Sequence, residues 1–200
     1  MSCIFYLASL ILLLDTKMRL DLYNNSSYNT GAGILKRLLW FIVNVLFFQN
    51  PLNLSSGLKV LLLRIFGAKV GNGVNIKPSV NIKYPWLLEI GNHVWIGECV
   101  WIDNLVKITI GNHVCLSQGA MLLTGSHDYK SSRFELITKE IVLEDGVWIG
   151  AKSIVCPGIV CKTHSILAVN SVATQHMDEY GIYQGNPALW KRQRVITDLV

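Results

Sequence analysis

The sequence predicts an all-β domain wound as a parallel β-helix, and three observations carry that reading. From Val70 onward an aliphatic residue recurs every six positions: Val70, Ile76, Ile82; Ile90, Ile96, Ile102; Ile110, Leu116, Leu122; Leu143, Ile149, Val155; Cys161, Leu167. Each full group holds three units. Every departure from six follows the third unit, at 82 to 90, 102 to 110 and 122 to 143, so the insertions share one corner.

Three short strands per turn make a triangular prism in which each strand turns one apolar side chain inward. Successive coils then stack at the usual strand spacing of about 4.8 Å. Small or polar residues follow the anchors because the chain must turn there, and Gly71, Gly91, Gly97, Gly111 and Gly150 carry no Cβ to obstruct the turn. The β-helix is expected over residues 70–180, with one long excursion at 123–142.

Ahead of the repeat, "ILKRLLWFIVNVLFF" (34–48) reads as a helix that is apolar on nearly all sides and ends at Pro51. A second helix is expected from an N-cap at Ser55 or Ser56 through "LKVLLLRIF" to Gly67. Residues 18–69 therefore form a helical cap over the open first turn. Lys36, Arg37, Lys59 and Arg64 also permit 34–66 to touch the inner face of a membrane. Residues 1–17 read as an upstream extension, since Met18 opens a fresh start and the apolar run 3–14 is shorter than the ~20 residues of a membrane span. At the other end, 181–200 is a basic segment, expected as a short helix or tail.

Composition narrows the function classes. Half the 200 residues are apolar, which supports a sizeable core, and the net charge is +5 without an aromatic-basic stripe, which excludes nucleic acid as the natural partner. Five cysteines at 3, 99, 115, 156 and 161 form no CxxC pair, as in a cytoplasmic protein.

The repeat resembles that of the hexapeptide-repeat acyltransferases. More narrowly, "VWIDNL", "VCLSQGAMLLTGSHDY", "EDGVWIGAKSIVCPGI" and "GNPALWKR" resemble the colanic acid biosynthesis acetyltransferase group. The resemblance implies a left-handed coil, a homotrimer, and transfer of an acyl group from acetyl-CoA, as co-substrate, to a sugar hydroxyl. The acceptor would be a lipid-linked or nucleotide-linked saccharide of exopolysaccharide, capsule or lipopolysaccharide synthesis, with no metal expected. The resemblance leaves open the sugar, its hydroxyl and the length of the acyl chain.

Such chemistry needs a base, and His127 stands in the one long excursion, where "TGSHD" resembles the family's catalytic histidine. Asp128, Glu135, Glu140 or a backbone carbonyl can orient its ring. By resemblance the backbone N–H of Ala151 holds the oxyanion. Asp103, Asn104, Asp128 and Tyr129 are acceptor-side candidates, Asp103 and Asn104 equally suited to an Asx turn. Gly150, Ala151 and Val169 are expected along the coenzyme A groove, although relatives carry Gly-Ala-Gly where this chain has Ala168-Val169-Asn170. Lys191 and Arg192, with Arg194, suit the nucleotide phosphates. Trp95, Trp101 and Trp148 end their units and suit packing on a neighbouring subunit better than stacking on a sugar ring.

Three rival functions share this fold: N-acylation of an amino sugar, a scaffold without catalysis, and a zinc enzyme like the gamma-class carbonic anhydrases. The last draws on His93 and His113, which occupy the same place in successive "IGNHV" units and should stack. The reading of the chain start is directly testable. A chain beginning at Met18 keeps wild-type solubility and activity; loss of either refutes it.

Overall fold

The computed structural model describes residues 17–197. Contacts divide them into two compact units: Thr30–Gly125 with Thr138 onward, and the residues up to Asn29 with Ser126–Ile137.

The larger unit is a parallel β-helix of five complete coils and the start of a sixth. The first coil holds β1 (Lys69–Val70), β2 (Asn75–Ile76) and β3 (Asn81–Ile82), and the second β4 (Leu88–Ile90), β5 (Trp95–Ile96) and β6 (Trp101–Asp103). The third holds β7 (Ile108–Ile110), β8 (Cys115–Leu116) and β9 (Met121–Leu123). There the chain departs through β10 (Gly125–His127) and β11 (Leu136–Thr138), which pair as a two-stranded sheet. The fourth coil is β12 (Ile141–Leu143), β13 (Trp148–Ile149) and β14 (Ile154–Val155); the fifth is β15 (Val160–Cys161), β16 (Ile166–Leu167) and β17 (Val172–Ala173).

Every coil-to-coil pairing is parallel and in the register that the six-residue period predicts. Ile76 faces Ile96, then Leu116, Ile149 and Leu167, and the other two sides behave alike. Thirteen of the fourteen anchors are buried, and Val70, at the open first edge, is partly so. A second inward position lies two residues before each anchor. Val80, Val94, Val100, Val114 and Val147 fill it in the early coils, and Ser153, Ser165 and Ser171 in the later ones.

The "IGNHV" stretches now have a physical reading. A Cβ on Gly91 would stand 2.7 Å from the Gly111 backbone of the next coil, so the glycine position must be bare. The asparagine side chain accepts from the amide of the coil before it: Asn72 N–H donates to Asn92 Oδ1, Asn92 N–H to Asn112 Oδ1, and Asn112 N–H to Asp145 Oδ1. These bonds from Asn112 hold the Asp145 carboxyl below its ordinary pKa. The histidine position is left-handed, at φ 56° for His93 and 55° for His113, and His164 at the same corner of the fifth coil has φ 59°. His93 and His113 stack at 5.2 Å as expected, because both occupy this corner.

A β-helix leaves the backbone groups of its first coil unpaired, and the preceding helices supply partners. α1 (Ile34–Val43), whose last turn widens over Asn44–Phe48, donates Trp40 Nε1–H to the Ile82 carbonyl at 2.8 Å. α2 (Ser56–Ile65) is capped by Ser55, whose hydroxyl accepts the Leu58 N–H. Its Ser56 hydroxyl accepts the Ile76 N–H and donates to the Val74 carbonyl. Arg64 donates to the carbonyls of Val70 and Gly71.

Lys59 corrects the sequence reading. It is fully buried rather than available to a membrane, and its ammonium donates to the carbonyls of Asn53, Lys77 and Ile76 at 2.9, 3.0 and 3.3 Å. Burial pushes its pKa down.

The far end carries a second correction. Instead of a helix or tail, β18 (Gly181–Gly185) and β19 (Ala188–Gln193) form an antiparallel hairpin on β16. The hairpin covers the last coil as a strand, because Ile182 and Tyr183 continue the alternation of Ile166 and Leu167. Arg194 then donates to the carbonyls of Gly146 and His164.

Replacing Lys59 by Met leaves three carbonyls without a strong donor, and unfolding in urea should show a loss of about 2–4 kcal/mol. Lys69→Met, which removes an exposed ion pair to Glu89, should cost at most about 1 kcal/mol. Equal losses in the two variants would refute the edge-capping role.

Candidate active site

Thr124 prepares the departure of the long excursion. Its buried hydroxyl donates to the Asp103 carbonyl at 2.8 Å and accepts the Leu105 N–H at 2.8 Å. The returning strand is held by Lys139 N–H donating to the Thr124 carbonyl.

Within the smaller unit, His127 is oriented by a backbone carbonyl, one of the four partners open to it from sequence. Its Nδ1 lies 2.8 Å from the Phe134 carbonyl oxygen. A carbonyl can only accept, so Nδ1 carries the proton and the neutral ring leaves Nε2 with its lone pair. Phe134 itself is held at φ +53°, in the left-handed region that ordinary residues avoid, which turns its carbonyl toward the ring. Its side chain stacks on the imidazole at 4.2 Å and 5°, and Tyr23 lies on the ring at 5.7 Å. Arg19 N–H donates to the Ser132 carbonyl, which ties the segment carrying Tyr23 to this loop.

Sequence reasoning missed Phe134 and Tyr23. An aromatic in a loop carries no local signal for a backbone contact, and Tyr23 lies over a hundred residues from His127 along the chain.

Asp128 and Tyr129 follow the histidine but serve the loop first. Asp128 Oδ1 accepts the Lys130 N–H, an Asx turn, and its own N–H donates to the Glu135 carbonyl. Tyr129 is 74% exposed, beside a hollow of about 360 Å³ shared with Lys17, Ser131 and Ser132.

In the larger unit the structure separates the two neighbouring acceptor-side candidates. Asn104 is fully buried; its amide donates to the Tyr84 carbonyl at 2.6 Å and its oxygen accepts the Tyr84 N–H at 3.0 Å. Both ends of the buried side chain tie two coils together, which is neither a ligand contact nor the Asx turn that the sequence offered as the alternative.

Asp103 lines a cavity of about 380 Å³ with Arg37, Trp40, Asn81, Lys83, Tyr84 and Trp101. Lys83 Nζ stands 3.0 Å from Asp103 Oδ1, an ion pair not aligned as a hydrogen bond. Arg37 Nε is buried there without a hydrogen-bond partner. Trp101 forms one aromatic wall, while Trp95 and Trp148 stay exposed on another face.

Gly150, Ala151 and Val169 share one corner of the β-helix. A Cβ on Gly150 would meet the Val169 nitrogen at 2.6 Å, and Asn170 N–H donates to the Ala151 carbonyl. Among the described residues no backbone carbonyl accepts the Ala151 N–H. The equivalent amides of Glu98 and Gln118 likewise find no backbone acceptor there, and Pro78 fills the place in the first coil. This corner therefore leaves an N–H without a backbone acceptor in the second, third and fourth coils. Val169 is 62% exposed, so the bulk that departs from the family pattern lies outside the core.

Arg192 stands in one row with Ile182, Ile166 and Trp148 across the sheet, three strand spacings, about 14 Å, from β13. Lys191 precedes it, and both are exposed. Arg194 uses its Nη1 on two backbone carbonyls, so it also holds the hairpin to the coils. The described residues hold no group of three His, Cys, Asp or Glu side chains arranged for a metal ion, so His93 and His113 find no third ligand.

A loop histidine with an oriented ring and a β-helix of six-residue period are each features of acyl-transfer proteins. Comparison with known proteins agrees. No family model matches the chain. It is 35% identical over 168 residues, 84% of its length and 92% of the relative's, to the "Putative colanic acid biosynthesis acetyltransferase WcaF" of Escherichia coli K12. It is 28% identical over 136 residues, 66% of each chain, to a galactoside O-acetyltransferase of Lactococcus lactis. The crystal structure of a hexapeptide-repeat acetyltransferase from Vibrio cholerae complexed with acetyl coenzyme A superposes with a TM-score of 0.74 at 26% identity, covering 83% of this chain and 92% of that one. The chain belongs to the hexapeptide-repeat acetyltransferase family, and its β-helix is the left-handed one of that fold.

Proposed function

We propose that the protein is an O-acetyltransferase that moves the acetyl group of acetyl-CoA to a sugar hydroxyl in the assembly of a surface polysaccharide. The observation that carries this reading is the Nδ1 contact of His127 with the Phe134 carbonyl, since it leaves the lone pair of a neutral ring on Nε2, where a general base needs it. The relatives named above, an acetyltransferase of colanic acid biosynthesis and a galactoside O-acetyltransferase, support a saccharide acceptor.

In the proposed reaction Nε2 of His127 takes the proton of the acceptor hydroxyl as its oxygen bonds to the thioester carbonyl carbon. The carbonyl oxygen becomes an oxyanion, for which a backbone N–H is a suitable partner; Ala151 is the proposed donor by family resemblance. Collapse breaks the C–S bond. The departing thiolate takes the proton from the imidazolium, which returns the base to its starting state and yields the acetyl ester and coenzyme A.

Asp103 is the proposed acceptor contact. Its cavity offers what a saccharide needs: the faces of Trp101 and Tyr84 for stacking, and Asp103, Asn81 and Arg37 for hydroxyl groups. Lys191 and Arg192 remain the proposed contacts for the coenzyme phosphates.

Two measurements test the assignment. His127→Ala should lower kcat by roughly 10² to 10⁴ with acetyl-CoA binding nearly unchanged, because it removes proton transfer and leaves the donor site in place. Wild-type turnover in that variant sinks the proposal. Replacing Lys191 or Arg192 by Ala should raise the apparent KM for acetyl-CoA by about 10- to 100-fold, equivalent to about 1.5–3 kcal/mol, and leave the acceptor KM alone. An unchanged donor KM in both variants would return β19 to a purely structural role.

A further inference from the structure

The helices that cap the first coil bury one face and leave the other bare. On α1 and its widened last turn the exposed residues include Ile34, Leu38, Phe41, Ile42 and Val45, which fall on one stripe of the helix, while Trp40, Asn44 and Phe48 point into the core. On α2, Leu58, Leu61 and Ile65 are exposed with the same one-sided spacing. Leu46, Leu52 and Leu58 line one hollow of about 250 Å³, so the two helices and the loop between them present a continuous apolar surface. A soluble monomer seldom leaves so large a patch to water.

Charge decides what covers it. From Leu22 to Leu88 the sequence contains no Asp or Glu, yet it contains seven Lys and Arg residues. Lys59 is buried, Lys69 and Lys83 are paired with carboxylates, and Lys36 lies over the Trp86 ring at 4.9 Å. A second copy laid on this face would bring cations against cations with no acidic residue of the segment to pair them. An anionic surface has the matching sign. Among the described residues no helix is long and apolar enough to cross a membrane, which fits a surface that lies in the interface.

We infer that α1, the loop 49–55 and the outer face of α2 form a docking surface for the headgroup region of an anionic lipid bilayer. Leucine and isoleucine side chains enter the acyl boundary, and Lys36 on α1 and Arg64 on α2, which no carboxylate among the described residues neutralises, meet lipid phosphates. Phe41 belongs both to this face and to the wall of the Asp103 cavity. On the reading of that cavity as the acceptor site, docking brings its mouth to the lipid surface, where a saccharide carried on a lipid anchor is presented.

The test is co-sedimentation of the full chain with phosphatidylcholine vesicles, with and without phosphatidylglycerol. Binding should be stronger by about tenfold or more with the anionic lipid and should weaken as salt is raised. The double substitution Leu38→Glu, Leu61→Glu lies at sites 55% and 54% exposed and should abolish binding while leaving thiol release with a soluble saccharide unchanged. Undiminished vesicle binding by that variant would overturn the proposal and transfer the role to another segment, such as the apolar run at 3–14. Loss of a lipid-free oligomer in the variant, with no vesicle binding by the wild type, would overturn it in favour of a contact between copies. Failure of the wild type to acetylate any saccharide would remove the acceptor reading and leave the docking result standing.

Discussion

The structure depends on backbone hydrogen bonding between coils, and a ladder of that kind has two ends. Each interior coil exchanges backbone hydrogen bonds with the coil on either side, but the first has no predecessor. Lys59 is the strongest part of the solution. One buried ammonium gathers three carbonyls from the first coil and the loop before α2, with Ser56, Arg64, Trp40 and Asn44 around it. Burying an ammonium is costly unless all its protons are used, and here each has a carbonyl. The far end is closed by other means, a strand hairpin on β16 and the Arg194 guanidinium on two corner carbonyls.

Regular coils also explain where an irregular side chain can stand. A prism whose corners repeat every six residues has little freedom for a catalytic side chain, because each inward position is filled by the core and each corner is set by the coil below. Insertions are tolerated at one corner only, and the longest of them carries His127. The loop then supplies what the prism cannot, a residue with left-handed backbone whose carbonyl and ring together hold the imidazole. The β-helix by itself leaves the amides of Glu98, Gln118 and Ala151 without backbone acceptors at one repeated corner.

Much of this was legible beforehand. The period of six is a consequence of three strands per turn, so anchors, register, the shared insertion corner and the stacked pair His93 and His113 follow from counting residues. Gly71, Gly91 and Gly111 followed as well, since close coil approach leaves no room for a Cβ. The excursion and its histidine stood out because they break an otherwise regular pattern.

What sequence alone determined about this protein is therefore its periodic part, where each residue's neighbours lie a fixed number of positions away. Tertiary structure decided the rest. Lys59 looked like a surface cation until its three carbonyls came from residues brought together by folding. Asn104 looked like a ligand contact until Tyr84, twenty positions earlier, occupied both ends of its amide. The partner of His127 was undecided among three carboxylates and a carbonyl, because the choice rests on the backbone angle at Phe134. The C-terminal segment became a hairpin because it had an open sheet edge to pair with, and such an edge exists only once the coils before it have formed.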